Sequence, residues 1–312
     1  MAKKKTARDW FEDAYRYDAV EHDPDKAIEA YKRCVKMDAR MSDAFVNLGF
    51  LYLDQGEHQE ALKCFTRVVN LESFSPEAYN NLGYVYEKME RFGSAKQMYE
   101  RAASLNPEDI ECFINIAHIQ ELQGNYEGAI EQYRRAIQAA PQAAAPHFLL
   151  GILYDRHDMF DEAIEEYHRA LEIDPNHVKA LFNLGNLYTQ QGDYWNAIAL
   201  LERVIQLEEK NAEAYNNLGS IYEDLGRHED AASAYRTSLS LNFDQEEAHF
   251  NLARLEYLRS GKDPDEATRE GIMGRLRHVL SLNPRHAKAL NLLQALKGRR
   301  CQPADGDFST RR

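Results

Sequence analysis

The sequence is short of the features that mark whole classes of protein. Its apolar runs stay well below the ~18 residues that cross a bilayer, so no membrane contact is expected. Its four cysteines, Cys34, Cys64, Cys112 and Cys301, form no CxxC pair and no zinc-finger spacing. The first three fall inside helical patterns and read as small apolar residues of a reducing compartment. No HExxH, P-loop or GxSxG occurs. Glu165 and His168 have a metal-like i, i+3 spacing, but a di-iron site needs a second such pair and two more carboxylates facing it. No catalytic residue, metal or cofactor is therefore expected. Basic charge is short as well. Lys and Arg total 38 against 51 Asp and Glu, a net charge of −13. Proteins that grip phosphate backbones usually carry the opposite balance, so nucleic acid is not an expected partner. The opening MAKKKTAR is followed by DWFEDAYRYD, not by the apolar stretch of a secretory signal. Residues 1–7 read as a basic, solvated end, and the chain as cytoplasmic.

What the sequence has in quantity is repetition. AYNNLG occurs at residues 78–83 and again at 214–219, an offset of four periods of 34. Stepping by 34 from Gly83 finds Asn47-Leu48-Gly49, Asn115-Ile116-Ala117, Leu149-Leu150-Gly151, Asn183-Leu184-Gly185, Asn217-Leu218-Gly219 and Asn251-Leu252-Ala253 without a slip. An alanine column follows (Ala61, Ala95, Ala129, Ala163, Ala197, Ala231), then a bulky one (Phe65, Tyr99, Tyr133, Tyr167, Leu201, Tyr235). A fixed period of this length sets the fold before any other reading. Each unit is two helices. Tyr79, Leu82, Gly83 and Tyr86 share one helical face, Ala95, Tyr99 and Ala102 the next. Gly56, Gly124, Gly192 and Gly226 mark the turn between them, as C-cap glycines do. The small columns let two antiparallel helices approach closely, and the bulky column is expected to fill the space between pairs.

These residues resemble the tetratricopeptide repeat family, whose pattern matches Tyr79, Leu82, Gly83, Tyr86, Ala95, Tyr99, Ala102 and Pro107. The resemblance implies an all-α fold, a right-handed α-solenoid of helix-turn-helix repeats with the first helices lining a concave groove. Repeats are placed at 8–41, 42–75, 76–109, 110–143, 144–177, 178–211, 212–245 and a stretched 246–286. A capping helix is placed at 286–298 and a disordered tail at 299–312.

With Gly83 numbered position 8, positions 4, 7, 8 and 11 build the core and positions 2, 5, 6, 9, 12 and 13 face away from it. Position 6 carries Asn47, Asn81, Asn115, Asn183, Asn217 and Asn251, and position 5 adds Asn80 and Asn216. A carboxamide offers one acceptor and two donors, so this ladder either holds a peptide backbone or serves hydrogen bonds between repeats. It resembles the asparagine ladder in the repeat domain of O-GlcNAc transferase. Phe50, Tyr84, Phe148, Phe182 and Phe250, with Ile114 and Ile152, read either as an exposed inner wall or as packing between successive first helices. Glu77, Glu111 and Glu213 at position 2 are either ligand-facing or simply solubilising.

Together these point to a non-enzymatic adaptor or scaffold that binds an extended or helical protein segment bearing apolar anchors and some basic residues. The alternative is a structural subunit of a larger assembly, contacting partners by its convex face or ends. The Hsp70/Hsp90 carboxylate clamp of the family is not expected, because no repeat has Lys at position 5, and Asn186 and Lys179 are isolated fragments of it. Two departures fall in the core pattern. Gln120 and Glu256 replace Tyr at position 11, where either the helices splay or the polar groups reach solvent.

Overall fold

The computed structural model describes residues 5–261 and 264–298. The expectations for the tail, for most of the basic end and for Cys301 lie outside these. Among the described residues there are seventeen helices and no strand. No helix among them is long and apolar enough to cross a membrane. The chain forms an α-solenoid of helix pairs in two compact units, residues 1–166 and 167–312.

The N-terminal unit holds α1 (Ala7–Ala19), α2 (Pro24–Met37), α3 (Ser42–Asp54), α4 (His58–Leu71), α5 (Pro76–Lys88) and α6 (Phe92–Leu105). It continues with α7 (Ile110–Leu122), α8 (Tyr126–Ala139), α9 (Ala144–Arg156) and the first half of α10 (Phe160–Ile173). The C-terminal unit holds the rest of α10, then α11 (Val178–Gln191), α12 (Tyr194–Leu207), α13 (Ala212–Asp224) and α14 (His228–Leu241). It ends with α15 (Glu246–Ser260), α16 (Glu266–Leu282) and α17 (Ala287–Gly298). Within each unit, helices pack chiefly on their neighbours in sequence.

The small-residue column has a direct cause. A Cβ built on Gly83 would lie 2.7 Å from the ring of Tyr99, and one on Gly219 would lie 2.5 Å from the ring of Tyr235. Both tyrosine side chains are fully buried, as are Ala95 and Ala231 beside them. The bulky column therefore seats on the glycine of its own pair, not only between pairs as expected. Tyr99 also reaches the next pair, where it clusters with Ile116 and Ile119.

The turn after each first helix needs one residue in the left-handed region. Gly56, Gly124, Gly192 and Gly226 supply it with φ of 72–78°. At the same register His22, Glu90 and Asp158 take φ of 53–57°, a conformation that costs side-chain-bearing residues energy. Helix starts are fixed by local chemistry. The Ser75 hydroxyl accepts from the Ala78 amide and the Asn211 side chain from the Ala214 amide, which satisfies donors that the first turn leaves open.

Neither expectation for position 11 holds at Gln120. It is buried, with 6% exposed, because Gly128 of α8 leaves room for its amide. A Cβ there would lie 2.8 Å from Gln120 Nε2. Glu256 instead meets two arginines, Arg275 at 3.3 Å and Arg236 at 3.7 Å.

Candidate functional site

The first helices of the N-terminal unit leave a hollow of about 530 Å³ over α3, α5 and α7. Its lining alternates apolar and amide groups: Phe50, Leu53, Tyr84, Asn80, Asn81 and Asn115, with Asp54, His58 and Lys88 at the rim. Phe50 and Tyr84 are each 38% exposed, an unusual state for rings in a helical core. Phe50 is held edge-on against Phe65, with centroids 5.1 Å apart. The Lys88 ammonium lies 4.9 Å from the Tyr84 ring centroid.

The asparagines divide into three states. Asn47 Nδ2 donates to the Tyr31 hydroxyl at 2.9 Å, and Asn183 Nδ2 to the Tyr167 hydroxyl at 3.2 Å. Burial pushes the Tyr31 phenol up to about 12, so it stays protonated. Where position 12 is Glu, the column tyrosine donates to it instead. Tyr99 does so to Glu87 at 3.0 Å, Tyr133 to Glu121 at 2.6 Å and Tyr235 to Glu223 at 3.1 Å. Burial, reinforced by that carboxylate, raises all three phenols. Each of these glutamates also faces a nitrogen of a side chain in the next repeat: His118 Nε2 at 4.0 Å, Arg156 at 3.3 Å and Arg254 at 3.0 Å respectively. These contacts tie adjacent repeats together.

In the second state, position 6 pairs with position 5 of the preceding repeat. Asn115 Nδ2 donates to Asn80 Oδ1 at 3.0 Å, and Asn251 Nδ2 to Asn216 Oδ1 at 3.3 Å. In the C-terminal unit this pair extends into a chain. Asn216 Nδ2 donates to Asn217 Oδ1 at 3.4 Å, and Asn217 Nδ2 to Asn186 Oδ1 at 2.8 Å. The third state belongs to Asn81, whose carboxamide makes no hydrogen bond to any described residue.

The structure thus corrects part of the sequence reading. Phe250 is not on an exposed wall but 8% exposed, packed among Ile272, Leu276, Ala289 and Leu293, with the His286 ring 4.7 Å away. The added helix α17 is what covers it. Asn216 is 6% exposed and enclosed by its amide partners. Phe148 and Phe182 are half-buried, and Phe182 packs beside the cluster around Leu181 and Leu201. Glu77, Glu111 and Glu213 are exposed in the first turns of α5, α7 and α13, where a carboxylate favours the helix N-terminus. Glu77 is held below the usual carboxylate range, first by its own backbone amide and then by the Ser75 hydroxyl.

Sequence reasoning did not single out Leu53, Asp54, His58 or Lys88 as parts of one site. Their register at positions 12, 13 and 17 was the available signal. The cysteines among the described residues, Cys34, Cys64 and Cys112, are buried. Burial raises the Cys34 thiol and pushes Cys64 up to about 11 and Cys112 to about 12.

Comparisons with known proteins agree with the helix pairs. The chain is similar in structure to the C-terminal part of a TPR repeat-containing protein from Cytophaga hutchinsonii. There the TM-score is 0.61 at 17% identity, over 79% of this chain and 98% of that one. It is similar to pilF of Pseudomonas aeruginosa at a TM-score of 0.58 and 16% identity, over 70% of this chain and 96% of that one. It is also similar to a chain of the APC/C hetero-tetramer Cut9-Hcn1, at a TM-score of 0.56 and 18% identity over 92% of this chain. There it spans about half of the other chain, 54%. At these identities the likeness is one of fold. Among curated proteins, no relative matches the sequence. Models described as tetratricopeptide repeat match residues 40–108, 75–142 and 212–245, and models described as TPR repeat match 159–192 and 185–226. These matches cover more than half of the sequence, and the chain belongs to the tetratricopeptide repeat family.

Proposed function

We propose that this protein is a non-enzymatic interaction adaptor that holds a segment of a partner protein along its first helices. Repeats of this family are typically non-catalytic interaction modules, which supports the general role. The observation that carries the finer reading is the hollow over α3, α5 and α7, where two half-open rings stand beside an unpaired amide. Exposed aromatics next to unsatisfied donors and acceptors form the pattern of a binding surface rather than of a solvated one. The expected ligand is a peptide segment with apolar anchors. Selection of a displayed random-peptide library on the full chain tests this. Enriched peptides should lose binding when Phe50 and Tyr84 are both changed to Ala. Failure to enrich any peptide, or binding indifferent to that double change, would overturn the proposal.

A second reading, a structural subunit that contacts partners through its second helices, has one observation in its favour. Trp195 on α12 is 73% exposed. If that surface mediates self-assembly, light scattering at tens of micromolar should show oligomers that Trp195→Ala dissolves. A monomer at that concentration would rule out self-assembly through this face.

A further inference from the structure

Position 4 of the first helix is apolar or aromatic in most repeats: Phe45, Tyr79, Phe113, Leu181 and Tyr215. Two repeats depart from this, with His147 and His249. His147 Nδ1 meets the Glu166 carboxylate at 2.7 Å. His249 of α15 is 3% exposed and has no such partner. Its Nε2 lies 2.7 Å from the Phe243 carbonyl. A carbonyl only accepts, so Nε2 carries the ring proton and Nδ1 presents a bare lone pair. That Nδ1 is buried without a hydrogen-bond partner among the described residues. Beside it stands His278 of α16, with ring centroids 4.6 Å apart. His278 Nε2 is buried and unpartnered too, with Asp244 Oδ1 3.3 Å away but outside hydrogen-bond geometry. The Phe243 ring closes the group, 5.1 Å from His249 and 4.8 Å from His278. The loop before α15, α15 itself and α16 therefore meet in three rings. A buried, orphaned lone pair can take a metal ion or a proton. No group of three His, Cys, Asp or Glu among the described residues could hold a metal, which leaves the proton.

We propose that the His249–His278 pair is a pH-sensitive joint, which holds α16 and α17 on α15 while both rings are neutral and loosens them when the pair takes up a proton. A proton on His249 Nδ1 finds no acceptor. It places a charge in a buried site, against the His278 ring and the Arg275 guanidinium of α16. The Phe243 carbonyl and Asp244, both in the loop before α15, oppose this. On α15 itself Glu246, one turn earlier, meets Asn283 at 3.0 Å and His286 at 3.8 Å. From the other side α14 faces α15 with Ala232, Tyr235 and Leu239, and its Arg236 reaches Glu256, two turns from His249. Burial is the main cause that holds His249 below the ordinary histidine value. The joint is therefore intact above the unfolded value near 6.5 and weakens as pH falls from there. Beneath it lies an apolar face, where Phe250 and Ala253 of α15 pack against Ile272 and Leu276 of α16 and Ala289 and Leu293 of α17. Loosening uncovers that face in mildly acid solution. The joint lies wholly in the C-terminal unit and does not depend on the adaptor reading.

Hydrogen exchange of the full chain at pH 7 and pH 5, corrected for the intrinsic rate, tests this. Protection of the α16 and α17 amides should fall about tenfold more than that of α11 and α12. His249→Phe, a residue type found at position 4 elsewhere in the array, should abolish that excess. His286 caps α17 by accepting from the Ala289 amide at 3.0 Å. His286→Asn keeps a cap without an imidazole and should leave the excess in place. No excess at all, an excess that survives in His249→Phe, or its loss in His286→Asn would overturn the proposal. Should His249→Phe misfold, judged by circular dichroism and melting at pH 7, nitrogen NMR of the unaltered protein decides. His249 should carry its proton on Nε2 at pH 7, and its titration should move the α16 amide shifts with it. A proton on Nδ1 at pH 7, or titration without a response in α16, would overturn the joint equally.

Discussion

The hexamer AYNNLG occurs in α5 and again in α13, and its two copies fold alike but end in different states. In both, Ala78 or Ala214 and Leu82 or Leu218 are buried, and the glycine lies under the ring of a column tyrosine. The asparagines then diverge. In α13 they are the middle of a closed chain of amides; in α5 one is half-used and the other is free. The cause is a neighbour 31 residues earlier. Position 9 of the preceding repeat is Asn186 in one case, which accepts from Asn217, and Phe50 in the other, which cannot accept at all. Identical local sequence therefore becomes structural glue in one unit and an open surface in the other.

The largest expected effect is one that the two copies should share. Gly83→Val and Gly219→Val each force atoms into a buried tyrosine ring and should cost about 2–3 kcal/mol by overpacking. Thermal or urea unfolding measures this, and a strongly unequal loss would show that the cores differ after all. The next effect should separate the copies. Asn216→Ala leaves the amides of Asn251 and Asn217 short of partners in a partly buried place and should cost about 2 kcal/mol, against about 0.5 for Asn81→Ala. Equal losses would mean that the closed chain contributes nothing particular.

A pH effect should also fall on one side only. His249 stands at position 4 of the repeat that follows the second hexamer, where the repeat after the first has Phe113. Burial is the main cause holding it below the ordinary histidine value. His278 and Arg275 of α16 add to that, while the Phe243 carbonyl, 2.7 Å from Nε2, and Asp244 oppose it. A histidine kept neutral by folding binds its proton first in the unfolded chain. Stability is thus fully present above the unfolded value near 6.5 and falls as pH drops from there towards the folded value. The protection factors of α15 amides, corrected for the intrinsic exchange rate, should fall between pH 7 and 5 by more than those of α7, and His249→Gln should flatten the difference. The smallest effect concerns the turn after each hexamer. Glu90 carries φ of 56° where Gly226 carries 72°. Glu90→Gly should gain about 0.5–1 kcal/mol and Gly226→Glu should lose about as much. A loss on Glu90→Gly would show that its side chain contributes something the turn does not.

Much of this was legible in the residues. The period, the two small columns and the bulky column announced helix pairs, because each reports a contact within one repeat or to the next. The left-handed turns at His22, Glu90 and Asp158 were legible only through register, since their residue types do not announce φ above zero. The candidate site was half legible. Positions 5, 6 and 9 pointed to the face that holds Asn81, Phe50 and Tyr84. They did not reveal that Phe250 is covered by α17 or that Gln120 is sheltered by Gly128, because those depend on where a further helix settles.

The sequence by itself determined the architecture of this protein. Helix pairing every 34 residues follows from side-chain size and periodicity, which act between neighbours along the chain and are written at each position. Only the tertiary structure decided which asparagines remain open. A carboxamide is spent or free according to what stands within hydrogen-bond reach, and here that partner lies 31 to 35 residues away, on another helix.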